Sequence, residues 1–113
     1  MNENLKTALI ASCVSNAPEM FLPFLMSTAV QTAAADKMNF YIFFKDMIAE
    51  AHLRAKGSLF LNIHKCTNDK GILTYNFYDR AHLYALLSLE VKEKENQIHL
   101  DIMPFWSPKN RLT

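Results

Sequence analysis

Four histidines, two cysteines and a set of strand-borne carboxylates are the residues whose types could do chemistry here. His52, His64, His82 and His99 could ligate a metal or shuttle protons. A zinc site, however, needs three or four ligands converging on one point, usually with recognisable spacing. The chain has no HExxH, HxH or CxxC pattern, and Cys13 and Cys66 lie far apart. No metal and no cofactor is therefore expected. Phosphate loops and dinucleotide fingerprints are glycine-rich, and two glycines in the whole chain cannot build one. No GxSxG nucleophile motif is present either.

The best polar constellation is Glu90, His99 and Asp101, with Ser88 and Lys92 nearby. In a hairpin that sets Lys94 against Gln97, Glu90 faces Asp101, and two adjacent carboxylates can push one pKa up into the range of general acid–base work. The plainer reading is a solvated hairpin end whose charges are screened, with Lys92 helping. That reading is preferred, so no catalytic residue is assigned. The run Asp79-Arg80-Ala81-His82 is read the same way, because turns are polar when they are exposed.

The elements that must position these groups divide the chain in two. Up to residue 57 the pattern is helical. Leu5, Leu9, Ile10, Cys13 and Val14 give a short N-terminal helix one buried face. Ser15-Asn16-Ala17-Pro18 breaks it, and Pro23 restarts a helix. Residues 24–35 have helical composition with weak periodicity. The clearest helix covers 37–56, where Phe40, Phe43, Phe44, Met47, Ile48 and Ala51 gather on one side. Asp36 or Asn39 can cap its start, and Gly57 suits a left-handed closing position.

Beyond Gly57 the period changes to two, with strands expected at 58–66, 71–78, 82–94 and 97–105. Setting Cys66 against Ile72 places Phe60 opposite Tyr78 and Asn62 opposite Asn76. Setting Lys94 against Gln97 places Val91 opposite Leu100. A central pairing of Phe77 with Leu83 would put Tyr75 beside Ala85. These registers send Leu59, Leu61, Ile63, Leu73, Tyr75, Phe77, Leu83, Ala85, Leu87, Leu89, Val91, Ile98, Leu100 and Ile102 to one apolar face, and a one-residue slip would reverse any strand. The expected fold class is α+β: N-terminal helices packed on one face of a four-stranded antiparallel meander. One domain over 1–113 is expected, with a helical half at 1–57, a sheet half at 58–105 and a short basic tail at 106–113.

The other sheet face is mixed. Phe60, Asn62, Thr74, Asn76, Tyr78, Tyr84 and Leu86 combine aromatics and aliphatics with uncharged polar groups, which is the composition of a protein interface. Tyrosines could also stack bases, but platforms of that kind need cations. The net charge is +1, and Lys65, Arg80 and Lys92 are dispersed. Nucleic acid is not an expected partner. No run reaches the roughly 20 apolar residues that span a bilayer, so no membrane partner is expected. Ile10-Ala11-Ser12-Cys13 resembles a lipoprotein cleavage box, yet the apolar run before it is short and Glu3 sits where a basic leader should be. Both cysteines are expected as reduced thiols in a cytoplasmic protein.

At the level of architecture, helices followed by a curved antiparallel meander resemble the cystatin-like and nuclear-transport-factor-like group. That resemblance implies frequent dimers and a pocket between helix and sheet. The chain departs from it in showing no strand among its helices. Two functions are expected from these readings. The first is a non-enzymatic interaction protein, a homodimeric adaptor or chaperone for another polypeptide. The alternative is a small-ligand binder or pocket enzyme with Tyr75 as a polar handle between helix and sheet.

Overall fold

Leu5, Ala8, Leu9, Ser12 and Cys13 recur at helical spacing and all are buried, which sets helix α1 at Glu3–Val14. It ends where Asn16 turns left-handed at φ 52° and the Ala17 N–H donates back to the Ser12 carbonyl at 3.0 Å. This six-to-one bond satisfies a carbonyl the helix itself leaves open. A 3-10 turn at Pro18–Met20 and the one-turn helix α2 (Leu22–Leu25) follow, each with proline in its first turn, where a missing N–H costs nothing. The computed structural model describes residues 3–33, 36–57, 59–65, 72–81, 84–94 and 97–106, with 62–65 and 94 described by backbone alone.

Strand β1 (Val30–Thr32) corrects the expectation of helix across 24–35. Val30 and Thr32 are β-branched, and Val30 is fully buried while Gln31 is exposed. Three residues are too few for a periodicity to register. Their strand state comes from parallel pairing with a segment almost seventy residues away, Val30 against Ile98 and Thr32 against Leu100. The stretch read as a helical half therefore contains a strand.

Helix α3 (Lys37–Ala55) is capped by Asp36, whose carboxylate accepts from the Met38 N–H at 2.9 Å. Phe40, Phe44, Ile48 and Ala51 are fully buried, with Phe43 and Met47 packed beside them. The helix closes one residue earlier than expected. Lys56, not Gly57, holds the left-handed position, at φ 57° and ψ 39°. The Lys56 N–H then reaches Leu53 O at 3.3 Å and the Gly57 N–H reaches His52 O at 3.2 Å. Gly57 still has a role in the exit, because its φ of 154° is rarely adopted by L side chains.

The remaining strands are β2 (Phe60–Lys65), β3 (Ile72–Tyr78), β4 (Ala85–Lys94) and β5 (Gln97–Pro104). The sheet is five-stranded and mixed, in the order β1-β5-β4-β3-β2, so the four-stranded antiparallel meander is its larger part and β1 adds a parallel edge. Two hairpin registers agree with expectation: Phe60 faces Tyr78, Asn62 faces Asn76, and Val91 faces Leu100. The central register does not. Tyr75 pairs with Leu89 rather than with Ala85, a slide of four residues along β4, and the ladder breaks step between Phe77 and Tyr78. An even slide preserves which face each side chain takes, so the apolar set survives from Leu87 onward, whereas Ala85, before the break, pairs with Tyr78 and takes the mixed face instead of the expected apolar one. The expected partner of Phe77, Leu83, lies outside the described residues.

Tyr75, Phe77, Leu87, Leu89, Val91, Leu100 and Ile102 form the floor of the core. Above them Phe44 packs against Phe21 and Phe40, with ring centroids 5.8 and 6.0 Å apart. Such aromatic pairs add roughly 0.5–1.5 kcal/mol beyond area burial.

Candidate functional site

Strand alternation turns Phe60, Thr74, Asn76, Tyr78, Ser88, Glu90, Lys92, His99 and Asp101 away from the core, onto the second face of the sheet. Phe60 is 38% exposed, and Thr74, Asn76 and Tyr78 are half-buried. Asn62 belongs to this face by register, but its side chain lies outside the described residues, as does that of His64. Leu86 departs from its expected role as an exposed anchor. It is only 9% exposed and counts with the core, while its carbonyl accepts from the Phe105 N–H at 2.9 Å.

Tyr84, in the connection just before β4, is the most exposed aromatic among the described residues, at 68%. Its backbone is held nonetheless. The Tyr84 N–H donates to the Asp79 carboxylate at 3.3 Å, and the Asp79 N–H donates to Tyr84 O at 3.2 Å. A fixed backbone under a solvated ring is the arrangement of an aromatic anchor without a socket. His82, inside this connection, lies outside the described residues. Near the centre of the face, Asn76 Oδ1 is shielded from water and has no hydrogen-bond partner among the described residues. A buried acceptor left unmade costs roughly 1–3 kcal/mol.

The expected polar cluster assembles as the registers require. Glu90 sits opposite Asp101, and on the next rung Lys92 sits opposite His99. Thr74 flanks Glu90 on β3, and Gln31 of β1 flanks His99. Asp101 is oriented by the Ile102 N–H, which donates to its carboxylate at 2.8 Å. A shallow depression of about 190 Å³ opens at the end of β1, between Thr32, Ala33, Glu90, Lys92, His99 and Asp101. A smaller one of about 110 Å³ shares Glu90 and Asp101 and extends to Ser88 and Met103. Gln31, Thr32 and Ala33 are absent from the sequence-derived set, because their place in the site follows from β1 joining the sheet. Among the described residues no group of three His, Cys, Asp or Glu is placed to hold a metal ion. The Glu90–Asp101 rung and the Lys92–His99 rung beside it make a polar rim next to the more neutral centre.

The interior supplies the other titratable groups. His52 Nε2 lies 2.8 Å from the Cys13 carbonyl, which ties α3 to the end of α1. Cys13 is a free thiol with no exposed surface, and burial pushes its pKa up, far from the reactive range. Cys66 lies outside the described residues. Tyr75 is 1% exposed, and its hydroxyl has no hydrogen-bond partner among the described residues. Burial first, then the charges of Glu93 and Glu3, hold its pKa above the usual tyrosine value. No described helix is long and apolar enough to cross a membrane. No protein-family model, no curated protein and no solved structure matches this chain.

Proposed function

We propose that this protein is a non-enzymatic interaction module that works as a homodimer, an adaptor or chaperone-like protein in which the second face of the sheet docks on its own copy. The observation that carries the reading is Tyr84, an aromatic ring 68% exposed on a backbone pinned at both ends by Asp79. Tyr84 adjoins the start of β4, and on the second face Phe60, Tyr78 and Thr74 provide the mixed centre that interfaces favour, with Glu90, Lys92, His99 and Asp101 as a polar rim. Asn76 Oδ1 supports the same reading, since a partner copy can bring the donor that the described residues do not supply. In an isologous contact each patch meets itself, so every substitution acts twice.

The alternative, a small-ligand site between helix and sheet, draws on one observation, the unpartnered Tyr75 hydroxyl. Phe21, Phe40, Phe44 and Ile48 occupy the space over the centre of the sheet with no exposed surface, which favours the interaction reading.

Sedimentation of the native chain and of Tyr84→Glu through the low micromolar range tests the proposal, with circular dichroism as the check on folding. The native chain is expected to dimerise there, and the folded variant to lose that step. A native chain that is monomeric in this range, or a variant that dimerises equally well, overturns it.

A further inference from the structure

Helix α3 is apolar on two opposite sides. One side carries the buried stripe over the sheet. On the other, Met38 is 46% exposed, Ile42 53% and Leu53 74%, and Ala49 is exposed as well. Met38, Ile42, Lys45, Ala49 and Leu53 follow one another at intervals of four, three, four and four, so they lie along one line some 22 Å long at 1.5 Å per residue. A helix with its polar residues outside needs no such line. One that is apolar on both sides is normally covered on both.

The order of residues along this line says what covers it. Lys45 and Asp46, both exposed, sit at its midpoint. Run the helix against a second copy in the opposite direction, and Met38 meets Leu53, Ile42 meets Ala49, and Lys45 meets Asp46, in both halves of the contact. Large side chains face each other at the ends, a large one faces a small one further in, and opposite charges face at the centre. A parallel pairing would instead set Lys45 on Lys45 and Asp46 on Asp46. Charges that flank an apolar seam select orientation and partner in this way. A groove of about 500 Å³ between Val14, Asn16, Ala49, His52 and Leu53 lies where the partner's N-terminal end would arrive, and it is open to receive Met38 of the second copy.

We propose that α3 pairs antiparallel with α3 of a second copy, about a two-fold axis passing between Lys45 and Asp46. This contact stands apart from the sheet contact, because α3 turns this line away from the sheet. Sheet-paired dimers would therefore present two α3 lines outward and associate further. One helix face is narrower than the roughly 800 Å² per partner of a standard interface, so the contact belongs to the high micromolar range.

The test is a sedimentation series extended to several hundred micromolar, in the native chain and in the Tyr84→Glu background. Lys45→Asp and Asp46→Lys should each raise the dissociation constant of the upper step by about tenfold or more, since like charges then meet twice. The double exchange, Lys45→Asp with Asp46→Lys, should restore it, and an equimolar mixture of the two single variants should associate where neither does alone. The same pattern should hold in Tyr84→Glu, which separates this contact from the sheet face. An upper step missing from the native chain, unmoved by either single reversal, or unrestored in both the mixture and the double exchange overturns the pairing and gives the helix face to a different partner.

Discussion

Replacing Tyr75 by phenylalanine should stabilise this protein. The ring sits on the core side of β3, between Ile63 and Leu89 on the neighbouring strands, and is 1% exposed. Its hydroxyl is cut off from water and has no hydrogen-bond partner among the described residues, a state that costs roughly 1–3 kcal/mol. Tyr75→Phe keeps the ring and removes the oxygen. The small gap left behind takes back roughly a few tenths of a kcal/mol. The net gain should be about 1 kcal/mol at neutral pH, or about 4 °C in Tm for a chain of this size. Alkaline pH should enlarge it. The folded-state pKa lies above the usual tyrosine value of 10.0, so around and above that pH the unfolded chain releases a proton that the folded chain keeps. The native protein therefore loses stability as pH rises past this point, and the variant, which has no proton to lose there, does not. Denaturant unfolding followed by circular dichroism at about pH 7 and about pH 10.5 reads both effects, the second as a widening gap between variant and native. A variant less stable than native by about 1 kcal/mol would mean that the hydroxyl has a partner, and a gap constant with pH would mean that it is not desolvated.

Phe44→Ala removes a fully buried ring that packs on both Phe21 and Phe40, and should cost about 3–5 kcal/mol in denaturant unfolding. Cys13 should stay unlabelled by a thiol alkylating agent in the folded protein at about pH 8, because its thiolate is scarcely formed, and should react once the chain is unfolded. Fast labelling without loss of structure would contradict its burial.

Most of the sheet was legible from residues alone. Side chains alternate with a period of two, so the hairpins ending near Cys66 and Lys94 could be registered by parity, and both agree with the ladders. The facing of Glu90 by Asp101 and of Lys92 by His99 followed directly. Parity cannot distinguish registers that differ by an even number, which is why the central pairing slid by four residues while the core set held. The aromatic stripe of α3 was equally readable, since six residues at helical spacing leave one possible buried side. Reading that side first left the opposite line of Met38, Ile42, Ala49 and Leu53 unremarked, because spacing says which residues share a side and only the packed sheet decides which side stays exposed.

The local pattern, then, determined the α+β class, the long helix and the two faces of the sheet, all of which depend on residues a few positions apart, and it left the helix cap between Asp36 and Asn39. Tertiary structure decided the rest. Val30–Thr32 is a strand because β5 offers a free edge to a short β-branched segment, and no window of neighbouring residues contains that edge. Leu86 is buried where β4 breaks step beside it and Phe105, just past β5, hydrogen-bonds to its carbonyl. The Tyr75 hydroxyl has no hydrogen-bond partner among the described residues because its ring joins a core of apolar side chains drawn from separate elements. Each of these outcomes is an energy of contact between distant parts of the chain, and such energies exist only once the fold has brought those parts together.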